Sequence, residues 1–499
     1  MNTKELYSEY KDITQRAADL NYASAVLQWD QEVYMPPKGF PFRGRQLATL
    51  AAQAHEWLTS DKYGDLLLRL SDAEGLTEDE AHNVRLSRED YEKNRKLTTD
   101  FIEKITNQTS ASYDAWIRAR KENNYSVYAG ELGKMIALKK QQADLYGYEG
   151  HPYNALLDDY EKDISVAVLD PVFEGVRANL PGLLDKIKAT TQVDDSVMEG
   201  NYPRQPQWDF SVDVLRKMGY DMEAGRQDIS EHPFTTSFAP TDVRVTTRVD
   251  ERNFASLLWS TIHEGGHALY EQGLPEAQYG LPLGAAASLS IHESQSRLWE
   301  NCVGRSLPFW RCFYPMLQQY FPSQLRDISL DAFYKAMNKV APSLIRTEAD
   351  ELTYHFHVMI RYEIEKSVLD GSVKAPELGE VWNEQYRKYL GVSAPDDKQG
   401  VLQDVHWSHG SFGYFPTYSL GSFYAAQFFE QAEKELPGLV SDMEAGSMHE
   451  LLQWLRGKVH VHGRKYRSEE LCQRITGRGL DVSSFLRYAE RKYAGIYDF

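Results

Sequence analysis

Residues 254–270 read Phe254-Ala-Ser-Leu-Leu-Trp-Ser-Thr-Ile-His-Glu-Gly-Gly-His-Ala-Leu-Tyr270, a largely apolar helix with a polar cluster set into it. The cluster, His263-Glu264-Gly265-Gly266-His267, places two imidazoles four residues apart. On a helix they lie on one face, one turn from each other, so both reach a single ion. Glu264, beside the first histidine, is held where it can take a proton from a metal-activated water. Gly265 and Gly266 each cost about 1 kcal/mol relative to alanine in a helix interior. Paired at that cost, they imply that something approaches the helix backbone closely there, either a neighbouring helix or the substrate side of the site.

Outward from this stretch, helical periodicity dominates. Residues 3–33, 43–70, 77–106 and 109–146 carry apolar side chains at three- and four-residue intervals, with Glu, Lys and Arg between them. The region from about 374 to 499 is again mostly helical. The clearest extended segment is 236–250, where Val243, Val245 and Val249 alternate with polar residues just before the metal helix. The fold class is therefore all-α with a small β-sheet near the site. No repeat, low-complexity tract or flexible linker interrupts the chain, so residues 1–499 are expected to form a single catalytic domain, one helical body with two lobes.

Composition excludes several partners. A net charge of −18 over 499 residues argues against nucleic acid or an anionic membrane, since both need a basic surface. No run approaches the roughly 18 apolar residues of a membrane span, and Met1-Asn-Thr-Lys-Glu-Leu has no apolar signal region. Cys302, Cys312 and Cys472 are too few and too scattered for a disulfide framework or a thiolate zinc site. The expectation is a soluble protein of a reducing compartment, most simply the cytoplasm.

A catalytic zinc takes three protein ligands and keeps one position open. The spacing H-x-x-G-x-x-H after the helix is excluded, because Tyr270 stands where its glycine and Gly273 where its histidine would be. The alternative is a glutamate from the next helix, residues 285–304, whose Glu293 and Glu300 lie two turns apart on one face. Glu293, nearer the loop and beside His292, Ser294 and Gln295, is the candidate ligand. Glu300 is the candidate for holding a ligand histidine in orientation.

At this point the chain resembles the carboxypeptidase Taq family of zinc metallocarboxypeptidases. The likeness rests on six stretches in that family's order: His232-Pro233-Phe234, Asp242-Val-Arg244-Val-Thr246, His263-Glu-Gly-Gly-His267, His292-Glu293-Ser-Gln295, Ile345-Arg346-Thr-Glu-Ala-Asp350 and Gly400-Val-Leu-Gln-Asp404-Val-His406-Trp407. The resemblance implies a saddle-shaped helical fold around a deep cleft, related to angiotensin-converting enzyme and neurolysin, in a homodimer. It also implies His263, His267 and Glu293 as ligands of one Zn2+ per subunit, replaceable by Co2+ or Mn2+, with Glu264 as general base. Peptides with a free C-terminal carboxylate are the implied substrates, cleaved with broad specificity, and the glycine pair then reads as room for close approach at the floor of a peptide cleft.

Release of a C-terminal residue needs a receptor for its carboxylate, and arginine's planar fork suits that task. Arg346 is read as opening a long helix whose polar stripe is Arg346, Asp350, Thr353, His357 and Arg361, with Asp350 either a surface partner or a clamp on the guanidinium. Arg244, on a presumed edge strand, is the second cationic candidate, with pairing to Asp242 or Asp250 as the plainer reading. Hydrogen-bond donors for the tetrahedral oxyanion are sought in residues 403–418. By analogy with related peptidases, His406 and Tyr418 are favoured, with His409 and Tyr414 as substitutes and His232 bounding the substrate pocket. A zinc oligoendopeptidase on the same scaffold, and a non-catalytic peptide-binding protein with a relict metal site, are the competing functions.

Overall fold

In a computed structural model, which describes residues 2–499, the metal motif lies on the helix Phe254–Glu271, tied to a three-stranded sheet that precedes it. The sheet has strand order β1–β3–β2, with β1 (Gly225–Ile229) parallel and β2 (Thr235–Ala239) antiparallel to β3 (Asp242–Thr247). Val243 and Val245 of β3 face the core and are fully buried. Thr247 at the end of β3 hydrogen-bonds Ser260 and Thr261 of the motif helix, at 2.7 and 3.2 Å, which locks strand to helix. The single extended segment expected over 236–250 is thus two strands with a turn between them, and β1 has no counterpart in the alternation pattern. Arg244 does not sit on an edge strand as expected. β3 is the central strand, and β1 and β2 are the edges.

The chain divides into two compact units. The first comprises the chain up to Arg95, Asp194–Met337 and Tyr424–Leu480, and contains the sheet and the motif helix. Its aromatic core gathers around the start of that helix, where the Phe254 ring lies 5.4 Å from Tyr202 and 5.5 Å from Phe321. The second comprises Lys96–Val193, Asn338–Phe423 and Asp481–Phe499. Its core includes Trp382, Trp407 and the buried helix Tyr354–Asp370.

Helix Thr3–Val33 spans the expected residues, but the longer periodic runs are broken by caps. Residues 43–70 divide into Phe40–Thr59 and Asp61–Ser71, because Ser60 turns extended and its hydroxyl accepts from Tyr63 N–H. Likewise Thr98 starts Thr99–Glu122, and Asn123, left-handed at φ 51°, ends it before Ser126–Tyr146. Arg346 does not open a long helix. Residues Arg346–Glu348 form one 3₁₀ turn, and the helix proper starts at Tyr354. The break lies at Asp350, whose carboxylate accepts from the N–H groups of Leu352 and Thr353 and from the Thr353 hydroxyl, satisfying donors at the helix start. The helix Leu289–Arg297 runs on into a π-helical turn, Leu298–Gly304, which carries Glu300.

Candidate active site

His263 and His267 direct their Nε2 atoms at the same oxygen, Oε2 of Glu293, at 3.6 and 3.4 Å. The three donor atoms lie within 4.8 Å of one another. Those separations match the edge of about 3.4 Å of a tetrahedron with ligands about 2.1 Å from its centre, so two imidazoles and a carboxylate fit a divalent metal with a position left open. The other Glu293 oxygen is occupied, since Arg297 Nε donates to Oε1 at 2.7 Å. Ser296 Oγ donates to Oε2 at 3.0 Å. Arg297, four residues on from Glu293, was legible as a helix ion pair but was not singled out from the sequence.

The outer nitrogens are fixed as well. His263 Nδ1 lies 2.9 Å from Glu300 Oε2, as expected of an orienting carboxylate. Glu300 is held in turn by Arg297 and Arg305, each at 3.3 Å. His267 Nδ1 lies 2.6 Å from Nδ1 of His292, whose Nε2 lies 2.8 Å from Glu271 Oε1. Burial alone would raise both Glu293 and Glu300, yet Arg297, with the histidines, holds each carboxyl well below its ordinary range. Burial likewise opposes ionisation of Glu271, and the hydrogen bond from His292 outweighs it. Glu264 is buried, and its Oε2 accepts from the Thr235 hydroxyl of β2 at 2.7 Å. Neither Glu271 nor Thr235 was marked by any spacing in the sequence.

The paired glycines have a packing explanation. A Cβ on Gly265 would stand 2.6 Å from Leu215 of the helix Arg204–Met218, and one on Gly266 would stand 2.7 Å from Ser296 Cα. They bring two neighbouring helices onto the motif helix, including the one that carries Glu293. The expectation of a cleft floor is corrected accordingly.

Elsewhere in the first unit, Arg244 forks onto Asp242, with Nε and Nη2 both at 2.9 Å, and its guanidinium lies 4.4 Å over Trp29 and 4.9 Å over Phe238. His232 is exposed on the loop between β1 and β2, where its carbonyl accepts from Ser230.

Within the second unit, Arg346 is buried and held by Asp404, with Nη2 at 3.0 Å from Oδ1 and Nε at 3.3 Å from Oδ2. Its Nη1 donates to the Tyr354 hydroxyl at 3.1 Å, and its guanidinium lies 4.9 Å over the Tyr418 ring. Asp350 therefore does not clamp Arg346, because its oxygens serve the backbone; Asp404 does. A second buried arginine, Arg361, also donates to Asp404, at 3.3 Å. Burial pushes up the carboxyl of Asp404, but Arg346 and then Arg361 outweigh it and keep the group ionised.

His406 Nε2 lies 3.3 Å from the Tyr418 hydroxyl, and the Tyr414 ring packs 5.1 Å from that of Tyr418. Burial, which outweighs the opposing charge of Asp404, lowers the His406 pKa to about 3, so the imidazole is neutral near pH 7. His409 is exposed, with its ring 4.9 Å from Tyr113. Arg346, Asp404, His406, Tyr414 and Tyr418 thus form one cluster. Residues 407–413 of that cluster's loop are tethered by buried Glu365, which accepts from Trp407 Nε1 at 2.9 Å and Gly413 N–H at 2.8 Å.

A helical scaffold that presents a His-His-Glu donor set beside a buried glutamate has the form of a metallopeptidase site. The chain belongs to the carboxypeptidase Taq (M32) metallopeptidase family, whose sequence profile matches residues 9–493. It is a peptide hydrolase of the metallocarboxypeptidase class, which implies a divalent metal. It is 40% identical to Thermostable carboxypeptidase 1 of Thermus thermophilus, over the whole of both chains. Among solved structures, that of the M32 carboxypeptidase from Deinococcus radiodurans R1 is 37% identical, with a TM-score of 0.97 over 99% of this chain and 100% of that one. A structure described as that of CHT is 56% identical, also with a TM-score of 0.97, over 98% of this chain and 99% of that one.

Proposed function

We propose that the protein removes C-terminal residues from peptides, with broad specificity, using zinc held by His263, His267 and Glu293 and with Glu264 as the general base. The observation that carries this reading is the convergence of two Nε2 atoms and one carboxylate oxygen within 4.8 Å, one helix position away from a buried, hydrogen-bonded glutamate. When bound there, zinc supplies Lewis acidity, which makes a water nucleophilic near neutral pH and polarises the scissile carbonyl. Glu264 takes the proton of the attacking water and passes it to the leaving amine. Thr235 keeps the Glu264 carboxylate in one orientation. Tyr418, with His406 neutral beside it, donates a hydrogen bond to the developing oxyanion, and Tyr414 packs against it. Arg346 receives the substrate carboxylate on the edge of its guanidinium that Asp404 does not occupy. Arg244 and His232 are proposed to contact the peptide further from the scissile bond, and Asp350 and His409 to shape the pocket indirectly.

We further propose that residues 1–499 act as one catalytic domain in a cytoplasmic homodimer that binds neither nucleic acid nor membrane. The family and the net charge of −18 support this, and among the described residues no helix is long and apolar enough to cross a membrane. Static light scattering at twice the 57.3 kDa chain mass is the expected result for a dimer.

The deciding experiment is incubation with a peptide of known sequence, its C-terminal amide and a chelator control, followed by mass. Stepwise loss of C-terminal residues from the free acid alone, halted by the chelator, is expected. Internal cleavage of the amide would replace this reading with an endopeptidase.

A further inference from the structure

Among the side chains around the metal-binding set, Glu271 and His292 form a chain with a determined direction. Glu271 is the last residue of the motif helix, four positions after His267, and His292 directly precedes Glu293 on the next helix. The His292 ring centre lies 4.5 Å from that of His267, with the two Nδ1 atoms 2.6 Å apart. Two imidazole nitrogens this close share one hydrogen, so one is N–H and the other bare. The far side of His292 decides which. An ionised carboxylate only accepts, so the 2.8 Å contact with Glu271 places a hydrogen on His292 Nε2. To bind a metal through Nε2, His267 must carry its hydrogen on Nδ1, and His292 Nδ1 accepts it there when the His292 hydrogen stands on Nε2, facing Glu271. That arrangement leaves His267 Nε2, 3.4 Å from Glu293 Oε2, bare for a metal.

We infer that Glu271, acting through His292, is a positioning residue that holds His267 in the tautomer able to bind metal. This rests on the ligand set proposed above. His263 reaches the same tautomer through one contact with Glu300, so the two ligand histidines are oriented by unlike devices, one direct and one relayed.

The relay makes a distinctive demand. In Glu271→Gln, the amide oxygen still accepts from His292 Nε2, so this variant keeps the direction of the relay. Glu271→Leu removes the preference altogether.

The test is cobalt(II) binding to the full-length apoprotein, measured by competition with a chelating indicator and by the visible cobalt spectrum. Glu271→Leu and His292→Phe are each expected to weaken cobalt binding about 10–100-fold, and Glu271→Gln, which keeps the acceptor, by no more than a few-fold. In the His292→Phe background, adding Glu271→Leu is expected to change affinity by less than about twofold, because the link it acts through is gone. Parent-like affinity in Glu271→Leu, or full additivity in the double variant, would overturn the relay. Glu271→Met, of similar length and without an acceptor, replaces the leucine variant if that one fails to fold, and a loss in Glu271→Gln as large as theirs would equally overturn the relay. His263→Ala separates the two readings: if it binds cobalt as the parent does, the ligand set itself is wrong and the relay falls with it.

Discussion

Glu264 and Arg346 are the two side chains whose replacement separates the proposed roles. Glu264→Gln keeps the size and the Thr235 hydrogen bond but removes the base. We expect kcat to fall about 10²–10⁴-fold in a steady-state peptide assay, with cobalt affinity within a few-fold of the parent. A variant with parental kcat would exclude Glu264 as the base. Arg346→Lys keeps the charge and loses the fork. The loss of one charged hydrogen bond is worth about 1.5–3 kcal/mol, so KM for free-acid peptides should rise roughly 10–100-fold with kcat changed far less. A rise in neither parameter would show that the carboxylate binds elsewhere. At this scale the sequence was legible where spacing is local. The i, i+4 histidines and Glu264 follow from helical period alone, and Glu300 from its place two turns after Glu293. The Asp404–Arg346 fork bridges 58 positions, and no local pattern distinguishes it from an Asp350 pair four residues away.

At the scale of elements, the helix Phe254–Glu271 owes its position to its glycines. Gly266→Ala would set a methyl 2.7 Å from Ser296 Cα, a backbone atom that cannot give way by changing rotamer. We expect a loss of about 1–3 kcal/mol of stability, and weaker cobalt binding because the helix bearing Glu293 must shift. The contrasting substitution is Gly130→Ala, at an exposed interior position of Ser126–Tyr146 where a Cβ meets nothing within 4 Å. There the gain in helix propensity should stabilise by up to about 1 kcal/mol. Chemical unfolding of the two variants checks the pair of signs, and equal effects would refute the packing account. The same elements show why helix boundaries were hard to read. Ser60, Thr98 and Asp350 interrupt runs whose apolar spacing continues through them, since a cap is a choice of hydrogen-bond partner and leaves the periodicity intact.

For the molecule as a whole, buried neutral histidines make folding depend on acid. His357 is fully buried, its Nδ1 lies 2.9 Å from the Tyr386 hydroxyl, and burial and then the Arg346 charge lower its pKa to about 3. His406 and His460 are lowered to about 3 as well, each chiefly by burial. In the unfolded chain these imidazoles take up protons near pH 6.5, and in the folded protein they do not. Their contribution to stability is therefore complete above pH 6.5 and is lost as pH falls toward 3, by about 1.4 kcal/mol per pH unit for each. His357→Gln removes one of the three. Between pH 6.5 and 5 its unfolding free energy should fall by about 2 kcal/mol less than that of the parent in urea titrations. Parallel losses in the two proteins would contradict the assignment.

Taken alone, the sequence determined the helical class, the two imidazoles on one helix face with Glu264 beside them, the glutamate on the following helix, and the family, because each is written in residue types at short, regular spacings. Tertiary structure alone decided which carboxylate holds Arg346, that Arg244 lies on the central strand, that the glycine pair admits helices, and that Glu271 reaches His267 through His292. Those outcomes depend on which distant segments are brought within a hydrogen bond's length of each other. That is settled by the packing of many side chains together, and no single stretch of sequence encodes it.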